Sequence, residues 1–244
     1  MTAHRQSGFT LVELAIVLMI IGLLIGGVLR GQELMGNARL QRVINDITSY
    51  GAAINTFMDS YSARPGDLAT ASTRLPGCET GNSNSCRNGN GNGIIGTQVS
   101  TWDVGDQSIA SENTQFWKHL AMAHLVSGVN PSASILDWGM SHPAAPLPGG
   151  YAMITTVGGG VANITSGSLV MQLRTDINTS VETNPAMSPK QAAYIDRKMD
   201  DGIPQTGDVQ SRGAGNGADV AECEEVYDES REDARCGVSF VINR

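Results

Sequence analysis

The sequence predicts an α+β fold: one long helix at the amino terminus, followed by short mixed elements that include an antiparallel sheet. Three observations carry this. Sixteen of the twenty-one residues from Phe9 to Leu29 are apolar, whereas most of the remaining 244-residue chain is polar and rich in Gly, Asn and Ser. An apolar stripe at helical spacing then continues to Tyr61, and three short runs with strand character follow in the second half. The composition also excludes a function. With a formal net charge of -8 and only three lysines, the chain lacks the clustered cations that phosphate neutralisation needs, so no nucleic-acid partner is expected.

A twenty-one-residue helix is roughly 32 Å long at about 1.5 Å per residue, which matches a hydrocarbon core of about 30 Å. The first apolar segment therefore suits a bilayer. Arg5 is the one fixed positive charge ahead of it, so residues 1–8 are expected in the cytoplasm and everything after Leu29 outside. A secretory signal would place a small-residue cleavage site after the apolar run, and none follows here. The removable piece is the one in front, where Gly8 lets a protease approach the backbone.

The string from Gly8 to Leu14, GFTLVEL, behind a short basic leader and ahead of an apolar helix, resembles the amino-terminal signal of type IV pilins and type II secretion pseudopilins. The resemblance implies cleavage between Gly8 and Phe9 by a prepilin peptidase and N-methylation of the new terminal Phe9. It also implies a role for Glu13, whose carboxylate would neutralise the terminal amino group of a neighbouring subunit during assembly. A physical argument points the same way, because a carboxylate inside a membrane helix costs on the order of 3 kcal/mol and marks a function or a partner. Many major pilins carry a proline at the position of Arg30, and this chain has none before Pro65. That departure, with the long head, leans toward a minor or specialised subunit. Gly22, Gly26, Gly27, Gly31 and Gly36 remain as weak points of the helix, each costing about 1 kcal/mol relative to Ala, or as small residues that ease helix contact in lipid.

Beyond the bilayer, Leu40, Val43, Ile47, Tyr50, Ile54, Phe57 and Tyr61 alternate spacings of three and four, with polar residues on the other faces. The two tyrosines and the missing Leu/Ile seam argue for packing against the protein's own sheet rather than a coiled coil. Arg64-Pro65-Gly66 ends the pattern, so one helix of about 80 Å is expected from Phe9 to Tyr61. Residues 68–110 read as loop, too polar to bury a core. Ser111 caps a second helix, expected from Glu112 to Ser127 and closed by Gly128, with Phe116, Trp117, Leu120, Ala123 and Leu125 inward. Strands are expected at Tyr151 to Val157 and Ser168 to Arg174. Ser188-Pro189 opens a short helix that ends at Gly202, and Gly237 to Ile242 forms the last strand. The domain reading is a leader at 1–8, a transmembrane and filament-core helix at 9–29, its amphipathic continuation at 30–62 and a pilin-like head at 63–244.

Cys78, Cys86, Cys223 and Cys236 all fall on the expected outer side, where thiols oxidise. Of the three pairings, Cys78 with Cys86 and Cys223 with Cys236 is favoured because each closes a short polar loop. The second loop, with Glu222, Glu224, Glu225, Asp228, Glu229, Glu232 and Asp233 in or beside it, is the densest charge run; the resemblance suggests that it contributes to the exposed filament face. Calcium is weighed at two places. Asn88 to Gly93 has the spacing of a calcium loop but neutral ligands and Val99 at the twelfth position. Asp196, Asp200 and Asp201 offer carboxylates at a helix end, and some pseudopilins carry calcium in the head. His4, His119, His124 and His142 lie in no nucleophile or metal motif, so no catalysis is expected.

The chain is thus expected to be a structural subunit of a type IV pilus or type II secretion-like pseudopilus. The partners implied are the prepilin peptidase, other pilin subunits, the inner-membrane assembly machinery and the lipid bilayer, with the head in the periplasm of a bacterium and later on a filament. The rival is a single-pass membrane-anchored periplasmic binding protein or enzyme that does not polymerise.

Overall fold

The structure is a computed structural model and describes residues 10–79, 86–96, 108–156, 164–177, 185–213 and 223–243. By internal packing the chain divides into two units, one ending at Arg39 and one running from Leu40 to Arg244. Helix α1 spans Leu11–Tyr61, and the order continues α2 (Ala71–Arg74), α3 (Glu112–Met122), β1 (Gly150–Thr155), β2 (Leu169–Arg174), α4 (Pro189–Met199), β3 (Val209–Gly213) and β4 (Cys236–Asn243).

The first unit is the apolar part of α1. Its leucines, isoleucines and valines from Leu11 to Leu29 are all exposed, and among the described residues α1 is the one helix long and apolar enough to cross a membrane. Open space surrounds Gly22, Gly26, Gly27, Gly31 and Gly36, where an added Cβ would meet nothing within 4 Å.

In the second unit the predicted stripe of α1 is the core-facing one. Leu40, Val43, Ile47, Ile54 and Phe57 are buried, and Tyr50 and Tyr61 pack partly buried against the same cluster. Four antiparallel strands in the order β1-β2-β4-β3 form the sheet. Tyr151, Met153, Met171, Leu173, Val238 and Phe240 of that sheet join the α1 stripe and Phe116, Trp117 and Leu120 of α3 in one core. Alternate residues point to opposite faces, and Ala152, Ile154 and Val170 form a second cluster with Ile164 and Trp138. The carboxy-terminal strand β4 pairs with both β2 and β3, so the last residues of the chain complete the middle of the sheet. Tyr50 meets Trp117 and Tyr151 edge to face at 5.2 and 5.4 Å, and the Tyr151 hydroxyl donates to Asp46 at 3.2 Å.

Several boundaries move for physical reasons. Helix α3 ends at Met122 rather than Ser127, because His124 adopts φ 58° and the His124 and Leu125 amides donate to the Ala121 and Leu120 carbonyls. That is a Schellman closure with histidine where glycine is usual. Helix α4 begins as expected, with Ser188 and Gln191 forming a reciprocal capping box, but ends at Met199 as Asp200 turns out of helical geometry. Strand β3 was not expected, since VQSRG has one β-branched residue and little alternation. Pairing with β4 and the bond from Ser211 Oγ to the Cys223 carbonyl make it a strand.

The stretch 68–110 is corrected more deeply. Leu68, Ala71, Leu75, Cys78, Cys86 and Ile95 are all buried in the main core. A polar tract can bury these residues because other side chains satisfy its backbone, as described next.

Candidate functional site

At the amino terminus Gly8 and Phe9 lie outside the described residues, and the site begins at Thr10. The Glu13 carboxylate accepts from the Thr10 amide and hydroxyl, both at 2.8 Å, while the Glu13 amide donates to Thr10 Oγ1 at 3.2 Å. This reciprocal pair is a capping box, so the Thr-x-x-Glu within GFTLVEL also starts α1. The spacing of Thr10 and Glu13 is the sequence signal for that cap. Glu13 thus has a local partner in the single chain, and it is the only carboxylate between Leu11 and Leu29.

A second set of polar residues surrounds the end of α1. The buried Asp67 carboxylate accepts from the backbone amides of Gly91, Asn92 and Gly93 at 2.7, 3.0 and 2.8 Å. Asn88 Oδ1 accepts from Ser72, Asn90 Oδ1 from Asn92 and Asn92 Oδ1 from Ile94. The Asn/Gly tract therefore turns its N–H donors inward onto a carboxylate and spends its asparagine oxygens on its own backbone. A calcium loop does the opposite, presenting oxygens to the centre, so these residues do not fit that ion.

Helix α3 holds the same loop from the other side. Glu112 accepts from Asn90 and Gly96, and Gln115 Oε1 from the Arg87 amide. His119 Nδ1 accepts from the Gly66 amide at 2.9 Å, and its Nε2 lies 2.7 Å from the Arg87 carbonyl, which sets the Nε2–H tautomer. Burial pushes the His119 imidazole down to about 4, so it stays neutral. At Gly66, with φ +83°, a Cβ would stand 2.5 Å from the Glu112 carbonyl oxygen, so only glycine allows this approach. Arg74 completes the arrangement by donating to the Tyr61 and Ser60 carbonyls at 2.6 and 3.2 Å. It supplies the cation that the last turn of α1 lacks.

Asp196, Asp200 and Asp201 come together at the end of α4, with one oxygen from each within 4.8 Å of the others. Each already serves the chain. Asp196 accepts from the Gly202 amide and the buried Tyr227 hydroxyl, at 2.9 and 2.7 Å. Asp200 accepts from the Asp208 and Val209 amides, and Asp201 from Ile203 and Thr206. Burial raises Asp196, against the lowering effect of those bonds. Calcium takes six to eight oxygens, carbonyls and waters among them, so an ion here would need further ligands beside these three carboxylates. Through these bonds they staple the turn between α4 and β3.

The cysteines pair as Cys78–Cys86 and Cys223–Cys236, with Cα atoms 4.5 and 5.7 Å apart. Within the second loop Arg231 pairs with Asp228 and Arg235 with Asp233, while Arg212 and Arg197 reach in from outside to Glu224 and Glu229; Glu222 lies outside the described residues. Lys118 is buried with Nζ donating to the Ala133 carbonyl at 3.0 Å, and burial pushes it down to about 8. His142, buried beside Ser141 at 3.0 Å, is pushed down to about 3. The Ser141 hydroxyl also bonds the Asp137 backbone, and the Asp137 carboxylate accepts from the Trp138 amide at 2.8 Å. No arrangement of nucleophile, base and orienting acid occurs among the described residues. His4 lies outside them.

In comparison with known families, residues 3–29 match the one described as the prokaryotic N-terminal methylation motif. No curated protein and no solved structure matches the chain. The matched stretch includes the cleavage junction expected at Gly8 and Phe9, the Thr10–Glu13 capping box and the whole exposed apolar segment of α1. The amino terminus of this α+β protein therefore carries a prepilin signal of the type IV pilin and pseudopilin kind.

Proposed function

We propose that the chain is a structural subunit of a type IV pilus or a type II secretion-like pseudopilus. It is made as a membrane-anchored prepilin, cleaved after Gly8, N-methylated at Phe9 and assembled through α1. The observation that carries this reading is the methylation motif at residues 3–29, directly joined to an exposed apolar helix with a single carboxylate near its start. In lipid, the apolar face of that helix needs no protein partner. Outside lipid it needs a bundle of like helices, because more than a dozen large apolar side chains are otherwise in water.

Glu13 changes partner in this scheme. Before assembly it closes the capping box with Thr10, and in the filament it meets the methylated amino group of a neighbour, which offsets the cost of carrying its charge into an apolar core. The head is periplasmic while the subunit is in the inner membrane, and the prepilin peptidase and assembly machinery act on it there. Its four half-cystines suit that compartment. No cofactor and no catalysis form part of this reading.

Mass spectrometry of the mature protein tests it. The expected result is loss of eight residues and a methylated Phe9; an intact Met1, or cleavage after Leu29, overturns it in favour of an anchored binding protein or enzyme. Two substitutions then separate the roles of Glu13. Glu13→Gln keeps the capping-box acceptor and removes the charge, so it inserts and caps normally but yields few filaments. Glu13→Val also loses the cap, at a further cost of about 1 kcal/mol to the helix start. Normal filament yield from the glutamine variant eliminates the charge-pairing role.

A further inference from the structure

Four Asn-Gly pairs occur in the chain. Three of them follow one another at Asn88-Gly89, Asn90-Gly91 and Asn92-Gly93, and the fourth, at Asn216, lies outside the described residues. An Asn-Gly pair is open to intramolecular attack on the side-chain amide, because glycine has no side chain to block the approach of its own nitrogen to the asparagine Cγ. Asn88, Asn90 and Asn92 are all exposed, so burial does not protect them.

The reaction that this exposure invites has two steps. The glycine amide gives its proton to solvent base, its lone pair forms an N–Cγ bond, and the asparagine NH2 gains a proton and leaves as ammonia, which closes a succinimide ring. Water then opens the ring at either carbonyl, leaving aspartate or isoaspartate. One water enters and one ammonia departs.

In this loop the attacking nitrogens are already committed. The Gly91 amide donates to Asp67 Oδ1 at 2.7 Å and to the Asp67 carbonyl at 3.1 Å, and the Gly93 amide donates to Asp67 Oδ2 at 2.8 Å. A carboxylate that accepts from an N–H holds the proton on nitrogen, and a nitrogen anion beside it would meet a like charge. Asp67 is only 4% exposed, so water screens that repulsion little. The groups under attack are held as well. Asn90 Oδ1 accepts from the Asn92 amide at 2.9 Å and Asn92 Oδ1 from the Ile94 amide at 2.8 Å, which ties each side chain to the residue two positions on. The Gly89 amide differs, since it donates to the neutral Leu68 carbonyl at 3.0 Å.

We infer that Asn90 and Asn92 are latent succinimide-forming sites held inert by the Asp67 carboxylate, so that one buried acid keeps an exposed and reactive loop chemically intact. Deamidation at either position adds a second negative charge to the loop that surrounds Asp67, and isoaspartate also lengthens the backbone by a methylene. Neither change reverses on its own. The tract therefore records any opening of the loop around the end of α1. The inference uses the head alone and does not depend on what the chain assembles into.

The test follows each asparagine separately by peptide mass while full-length protein in detergent is held at mildly alkaline pH. The same chain unfolded in guanidinium chloride gives the unprotected rates. Asn90 and Asn92 are expected to convert at least about a hundredfold more slowly in the folded protein, a factor set by how seldom the loop opens. Folded rates within about tenfold of the unfolded ones overturn the inference. Asp67→Asn then isolates the carboxylate: Asn90 and Asn92 accelerate by at least about tenfold, while Asn88 keeps the parent rate. Equal acceleration at all three, or at none, overturns the role of Asp67. If that variant does not fold, hydrogen exchange in the parent decides, because the Gly91 and Gly93 amides lose the same proton in both reactions. Their exchange is expected to be slowed by at least about a hundredfold, and unprotected exchange at either glycine refutes the assignment.

Discussion

Acid should loosen the loop around the end of α1, and His119 makes the size of the effect calculable. Its imidazole is buried with Nδ1 accepting from Gly66 and Nε2 donating to the Arg87 carbonyl, so a proton on Nδ1 would place a donor against a donor. The folded group titrates at about 4 against an ordinary 6.5. The unfolded chain therefore binds more protons between those values, and the stability that neutral His119 contributes is complete above pH 6.5 and is lost as pH falls toward 4. A gap of that size corresponds to about 3 kcal/mol. His142, pushed down to about 3, adds a loss of similar order at pH 4.5. Together they remove about 5 kcal/mol between pH 7.5 and 4.5, comparable to the whole stability of many domains. Asp46, Glu112 and Asp196 are raised by burial, so they act in the opposite sense, within the carboxylate range at the acid end. Urea denaturation of the full-length protein in detergent at steps from pH 7.5 to 4.5 measures the slope. His119→Asn keeps an acceptor for Gly66 and loses the donor to Arg87. It should be less stable at pH 7.5 by about 2 kcal/mol and lose roughly half of the acid sensitivity. If the variant and the parent lose stability in parallel, His119 does not titrate as argued.

Three further outcomes are expected from the same packing. Gly66→Ala places a Cβ 2.5 Å from the Glu112 carbonyl at a φ of +83°, so it should cost about 3 to 5 kcal/mol; a melting temperature within two or so degrees of the parent would refute the close approach. His124→Gly relieves a left-handed residue at the end of α3 and should stabilise by about 1 kcal/mol, read as a higher urea midpoint with an unchanged slope. Replacing Cys223 and Cys236 together with serine opens a loop with a sequence separation of 13; the expected loss is about 2 to 4 kcal/mol, and hydrogen exchange should show it concentrated in β3 and β4.

How legible each feature was follows from how local its cause is. The apolar stripe from Leu40 to Tyr61 was readable because helical spacing repeats within a few residues. The Ser111 and Ser188 caps were readable because the acceptor and its donors are neighbours in sequence. The Thr10–Glu13 box was equally local but was obscured by the role that the resemblance assigns to Glu13. The role of the Asn88–Gly93 tract was not readable, because its donors meet Asp67 more than twenty residues earlier. For the same reason Leu68, Leu75 and Ile95 could not be recognised as core. His119 carried no motif at all, and its meaning lies in two backbone groups 53 and 32 residues away.

By itself, then, the sequence determined what depends on composition and short-range periodicity: an α+β chain, an apolar amino-terminal helix, a prepilin signal and two oxidisable cysteine pairs. The tertiary structure decided which polar residues are buried and what they hold. It put β4 between β2 and β3, turned the Asn/Gly amides onto Asp67, and stapled the α4–β3 turn with Asp196, Asp200 and Asp201. The reason is physical. A buried polar group must find its partner wherever the fold brings one, and those distances along the chain leave no local pattern.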